Sequence, residues 1–105
     1  MGIVAIACYK PKKGGQGPLK RIIKGHAKIL LRENLITGRP PILLATKNGI
    51  IMEIFEWKSD KSKIQAHKNP AVAAHWNKIE ANGTSVTLAD VEESGDRYAN
   101  FQPIN

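Results

Sequence analysis

Residues 42–57 read Ile-Leu-Leu-Ala-Thr-Lys-Asn-Gly-Ile-Ile-Met-Glu-Ile-Phe-Glu-Trp. Two β-rich runs, Ile42 to Lys47 and Ile50 to Trp57, flank Asn48-Gly49. Asn-Gly between strands is the strongest short-range hairpin signal, because both turn positions need positive φ. A two-residue turn sets the register. It places Leu44 opposite Glu53, Ile42 opposite Phe55 and Pro40 opposite Trp57. Ala45 with Met52 and Leu43 with Ile54 then form the other face.

Toward the N-terminus, Leu19 to Leu35 reads as a helix, with Pro18 at its first turn where a missing N–H costs nothing. Leu19, Ile22, Ile23, His26, Ile29 and Leu30 recur at three- and four-residue steps, and basic residues fall on the opposite side. Ile3 to Tyr9 (IVAIACY) is apolar at almost every position, as expected of a strand covered on both faces. Between them, Lys10 to Pro18 is a loop by composition. Gly14-Gly15-Gln16-Gly17 lacks the spacing of a phosphate loop, and Pro18 removes a donor.

Toward the C-terminus, Ser59-Asp60 offers an N-cap for a second helix, Lys61 to Ala81. Pro70 breaks it, with Asn69 capping the restart and Val72, Trp76 and Ile79 as its apolar stripe. Asn82-Gly83 predicts a C-cap. Ser85 to Glu92 predicts the last strand, and residues 94–105 form an extended tail whose Tyr98 and Phe101 need burial. The order β-α-β-β-α-β predicts an α+β domain over residues 1–93, ferredoxin-like, with an antiparallel sheet and two helices on one face. No segment is spare to cover the other sheet face, so a second subunit's sheet is the expected cover, giving a homodimer.

The chain has 105 residues, enough for one domain and too few for two. Its formal charge of +7 lies wholly in residues 1–35, where eight basic residues face Glu33 alone. That asymmetry leaves open a non-catalytic basic module that meets nucleic acid or an acidic partner through the first helix. Any such binding is expected to be weak, salt-sensitive and indifferent to sequence. RNA-recognition domains share the element order, but Gly49 to Trp57 is too apolar and carries two carboxylates. No apolar run approaches the ~20 residues that span a bilayer. The first lysine follows the N-terminal apolar run, the wrong order for a secretory signal. The lone Cys8 permits no internal disulfide, and the expected location is cytoplasmic.

Met52-Glu-Ile-Phe-Glu-Trp57, followed by Ala66-His-Lys-Asn-Pro-Ala-Val72 and Trp76, resembles the antibiotic biosynthesis monooxygenase-like family. The likeness in element order extends over most of the chain. It implies a dimeric α+β barrel with a ligand site between helices and sheet. Members oxidise aromatic polyketides without metal or flavin, degrade haem, or have no known reaction. The haem-degrading branch uses an Asn on the first strand, a Trp early in the second helix and a haem-ligating His beyond it. Here strand 1 has no Asn, Ala66 stands at the Trp position and Trp76 at the His position, with His75 one residue off. No haem, and no other cofactor, is therefore expected.

The quinone-forming branch leans on polar and aromatic groups around the cavity. His26 interrupts an apolar helix stripe, and Glu53 interrupts an apolar strand. The two are candidate catalytic groups, Glu53 as a base raised by burial. The alternatives are a satisfied core histidine for His26 and, for Glu53, a salt bridge to His26, a lysine or the partner subunit. The two are therefore expected either to pair or to share a pocket. Trp57, His67 and Trp76 are candidate ligand contacts. Tryptophans so placed more often pack in a core or interface, and His67, just before the helix break, can point into a cavity or out to solvent. His67 and His75 are eight apart across a kink with no Cys or clear carboxylate to complete a metal set, so no metal site is expected.

Overall fold

A computed structural model describes residues 2–105. It is an α+β fold with a five-stranded antiparallel sheet and three helices, compatible with a ferredoxin-like plan. The elements are β1 (Ile3–Pro11), α1 (Gln16–Arg32), β2 (Ile42–Ala45), β3 (Ile51–Trp57), α2 (Asp60–Ala66), α3 (Pro70–Asn82), β4 (Gly83–Val86) and β5 (Gln102–Pro103). The strands lie in the order β4-β1-β3-β2-β5.

The hairpin between β2 and β3 differs from the two-residue expectation by one residue. Ile42 pairs with Ile54, Leu43 with Glu53 and Leu44 with Met52. The loop has three residues between Thr46 and Ile50, and only Gly49 takes positive φ, at 82°. Thr46 explains the extra residue. Its N–H donates to the Ile50 carbonyl at 2.9 Å, and its Oγ1 accepts from the Ile50 N–H at 3.0 Å. A three-residue loop with glycine at the left-handed position is the next commonest hairpin. Side chains alternate along a strand, so a shift of one exchanges faces. Leu43, not Leu44, joins Glu53 on the helix side.

The broken helix follows the sequence closely. Asn69 caps α3 through its side-chain oxygen, which accepts from Ala71 N–H at 2.9 Å and Val72 N–H at 3.1 Å. Pro70 stands in the first turn, where no partner is needed. α1 buries Leu19, Ile23, His26 and Leu30 and leaves Lys20, Arg21, Lys24, Lys28 and Arg32 exposed. It ends earlier than expected, at Arg32, closed by left-handed Asn34 and a bond from Leu35 N–H to Leu30 O of 2.9 Å.

Two corrections concern the C-terminal third. Gly83 follows the last helical residue, Asn82, as expected of a C-cap, but its backbone is extended rather than left-handed, and α3 runs directly into β4. A Cβ there would lie 2.8 Å from Leu19 and 3.0 Å from the Lys10 carbonyl, so glycine is set by close packing. The expected strand through Glu92 stops at Val86. Two 3-10 turns follow, Leu88–Asp90 and Glu92–Gly95, the first closed by a Thr87/Asp90 capping box. β4 therefore pairs only with Cys8–Pro11, and among the described residues the first half of β1 has β3 as its sole paired strand.

The helix-side core forms two clusters. One holds Leu30, Leu35, Phe55, Trp57, Ala66 and Val72, and the other Tyr9, Leu19, Ile23, Leu43, Ile51 and Ile79. Beneath the sheet, Val91 packs with Cys8, Ile50 and Met52, joined by Phe101. The chain thus supplies part of the cover that the sequence reading assigned to a second subunit. The tail continues along β2, where Ile104 N–H donates to Leu43 O at 2.9 Å. Tyr98 finds no burial and is 82% exposed. At the far end of the outer face, Val4, Ile6 and Ile42 remain 44–56% exposed.

Candidate functional site

Glu53 lies on β3 between Ile51 and Phe55, with its side chain turned to the helices and fully buried. A buried carboxylate is costly unless hydrogen-bonded. Two donors meet it. His26 of α1 contacts its two oxygens at 2.8 and 3.0 Å, and the Tyr9 hydroxyl of β1 donates to Oε1 at 3.1 Å. His26 is itself 2% exposed. The two groups chosen from the sequence as interruptions of apolar patterns are therefore in direct contact.

The far side of the His26 ring faces α3. Trp76 Nε1–H donates to His26 Nε2 at 3.1 Å. His75, one residue earlier, stacks parallel on His26 with centroids 5.2 Å apart and donates through Nε2–H to the Ile22 carbonyl at 3.0 Å. The chain of contacts runs Tyr9, Glu53, His26, Trp76.

Beside this chain lies a cleft of about 390 Å³ between the sheet and helices α2 and α3. His26, Trp57, His67 and Trp76 all line it, as does Tyr9. Glu53 does not reach the cleft; it sits behind His26 and Tyr9. Ala5 and Ala7, the inward-facing residues of β1, line the floor, and their short side chains leave its space open. Trp57 packs edge-on against Phe55 at 4.9 Å, and His67 edge-on against Trp76 at 5.1 Å. Lys63 and Glu80, both exposed, stand at the rim. Apolar walls with a few convergent polar groups, at this volume, are the usual make-up of a small-molecule site.

Tyr9 and His75 were not singled out as site residues from the sequence. Tyr9 carried a signal: it follows Ala5 and Ala7 at the strand period, on the same face. His75 stood out only as one residue off the haem-ligating position and as one of two histidines eight apart.

Two groups have shifted acidities. Burial, and then the Glu53 carboxylate, push the Tyr9 phenol well above its ordinary range, so its hydroxyl keeps its proton. Burial first, and then His26, lower the His75 pKa from its ordinary 6.5, against an upward pull from the bond to Ile22. The folded protein therefore holds fewer protons on His75 than the unfolded chain in the window just below pH 6.5. The stability this contributes is present in full above 6.5 and is lost as pH falls through the lowered value. Urea midpoints are expected to fall on acidification below pH 6.5, and His75→Gln to flatten that part of the profile. An unchanged slope in the variant would assign the acid loss to other groups.

Among the described residues, no group of three or more His, Cys, Asp or Glu side chains is placed to hold a metal ion. Among them, too, no helix is long and apolar enough to cross a membrane. Comparison with family models, with curated proteins and with solved structures finds no match to this chain.

Proposed function

We propose that the cleft binds a flat aromatic or quinone-like molecule, and that the chain is a cofactor-independent monooxygenase of the antibiotic biosynthesis monooxygenase-like kind. The observation that carries this reading is the pair of tryptophans, Trp57 and Trp76, in the walls of a cleft where a buried, carboxylate-backed histidine supplies polar contact. Aromatic walls suit an aromatic guest by offset or edge-on stacking. The chemistry balances without an added reductant. A phenolic ring and one O₂ give a quinone and water, with one oxygen atom entering the ring and the ring supplying the electrons.

Titration with naphthoquinone is expected to quench tryptophan emission, and Trp76→Ala to weaken binding about tenfold through lost stacking. With naphthol, oxygen uptake above the spontaneous rate is expected, with naphthoquinone as product. Quenching without oxygen uptake would leave a binding protein and remove the oxygenase. No quenching at millimolar quinone would remove the pocket reading itself.

We also infer a homodimer joined through the outer sheet face, giving the dimeric α+β barrel. Its support is the strip of Val4, Ile6 and Ile42 left exposed beside half-buried Ile54, where the C-terminal turns do not reach. Exposed apolar strips on a sheet face are typical of contact surfaces. Sedimentation is expected to give twice the 11.5 kDa chain mass, and Ile6→Glu to give the monomer. A wild-type monomer at micromolar concentration would exclude the dimer. Location in a reducing cytoplasm fits Cys8, a buried free thiol whose pKa is raised by burial and by Asp90, leaving it protonated and unreactive.

A further inference from the structure

The hydrogen bonds around His26 fix where its protons sit. An indole N–H donates and never accepts. The 3.1 Å contact from Trp76 Nε1 therefore requires a lone pair on His26 Nε2. The ring proton is then on Nδ1, where the Glu53 oxygens receive it at 2.8 and 3.0 Å. Glu53 is held in place by the Tyr9 hydroxyl at 3.1 Å and is sealed from the cleft. The sequence reading offered Glu53 as the base. Its burial behind two donors removes it from that part and leaves Nε2 as the buried basic atom on the cleft wall.

A carboxylate behind an imidazole fixes the tautomer and stabilises the imidazolium formed when the outer nitrogen takes a proton. We propose that His26 Nε2 is a general base toward an acidic hydroxyl, phenolic or enolic, on the bound molecule. The Trp76 indole N–H occupies the place of that hydroxyl until the ligand displaces it. This inference rests on the aromatic-pocket reading and adds the group that the guest must carry. In the step, the ligand O–H bond breaks and an N–H bond forms at Nε2. The electron pair stays on the ligand oxygen, and the imidazolium faces the Glu53 carboxylate. No oxidant enters. Glu53 and Tyr9 are positioning residues.

The charges around His26 suit the step. Glu53 from β3 offsets the imidazolium directly, and Tyr9 from β1 stays neutral. His75 from α3, stacked on the ring, has a lowered pKa and adds no competing positive charge. Across the cleft, α2 supplies Lys63 and His67, and α3 supplies Glu80. Lys63 is the one lining residue with a fixed positive charge for the ligand oxyanion.

The test pairs para-nitrophenol, whose anion is coloured, with para-nitroanisole, its methyl ether, which has no proton to give. Both are expected to quench tryptophan emission. Bound nitrophenol is expected to show its anion band about one pH unit or more below the free compound, the size of shift that a close opposite charge produces. Glu53→Gln is expected to keep nitroanisole binding and lose the band shift, which a purely structural role would not do. Nitrogen NMR of the wild-type protein without ligand is expected to show His26 protonated at Nδ1 and bare at Nε2, and needs no variant to fold. The opposite tautomer would overturn the proposal, as would nitrophenol bound only in its neutral form while nitroanisole binds; in both cases the pocket stands. Binding of neither compound would remove the pocket reading and the base together.

Discussion

His26→Leu, made alone, is expected to lower folding stability by about 3–5 kcal/mol, the range for leaving a buried charge without its main partner. Glu53 would remain fully buried with Tyr9 as its only donor. Glu53→Leu alone should cost less, about 1–3 kcal/mol, because it strands two neutral donors, the His26 N–H and the Tyr9 hydroxyl, rather than a charge. The double change His26→Leu with Glu53→Leu should recover most of the loss, since apolar groups of similar size often replace a buried pair at little cost. Urea denaturation of the four proteins at neutral pH gives the coupling energy directly. Additive losses in the double variant would mean that the two side chains do not depend on each other, and the site built on them would fall. Total stability for a domain of this size is about 5–15 kcal/mol, so the single variant falls near the limit of folding.

Gly15→Ala and Gly25→Ala are the same chemical change with expected effects of opposite sign. A Cβ on Gly15 would lie 2.3 Å from the Asn82 carbonyl oxygen. That oxygen is already engaged by Lys12 N–H at 2.9 Å, and it belongs to the junction where α3 passes into β4. Neither chain can yield without disturbing the other, and a loss of about 2–3 kcal/mol is expected, toward the upper end of overpacking costs. Gly25 sits inside α1 with nothing within 4 Å of a Cβ. Alanine there removes the entropy penalty of a helical glycine, for a gain of about 0.5–1 kcal/mol. Thermal melts of the two variants decide the matter. Equal shifts would show that the Gly15 corner is looser than its geometry.

Much of the fold was legible where a local rule acts alone. Pro70 after Asn69 can only be a helix start, and it is one. The α1 stripe had a single face to bury, and it buries it. The misreadings fall where two local signals compete. Asn48-Gly49 reads as a two-residue turn until Thr46 Oγ1 captures the Ile50 amide, and one extra residue then turns the register over. Gly83 ends α3 as the sequence suggests, but the left-handed cap that a glycine there implies is replaced by extended backbone, packed against Leu19 and the Lys10 carbonyl over 60 residues away. The site divides in the same way. His26 and Glu53 stood out because each breaks an apolar pattern. Their contact follows from packing α1 across β3, which no local pattern encodes. Tyr9 joins them through the β1–β3 register, in which Ala7 pairs with Glu53 and Tyr9 lies diagonally beside it.

The shortness of β4 bears on how the chain behaves before it is folded. Ile3 to Ala7 forms a bare sheet margin without charge or proline, and the nearest residues able to discourage stray pairing, Lys10 and Pro11, lie on the half that β4 already guards. Natural strands protect such margins with gatekeepers. Here the protection has to come from speed. A newly made chain whose helices dock slowly offers the whole run Ile3 to Tyr9, seven uncharged, β-prone residues, to its neighbours, the composition that seeds fibrils. Yield on expression should therefore follow chain concentration and temperature more closely than it follows the stability of the finished fold.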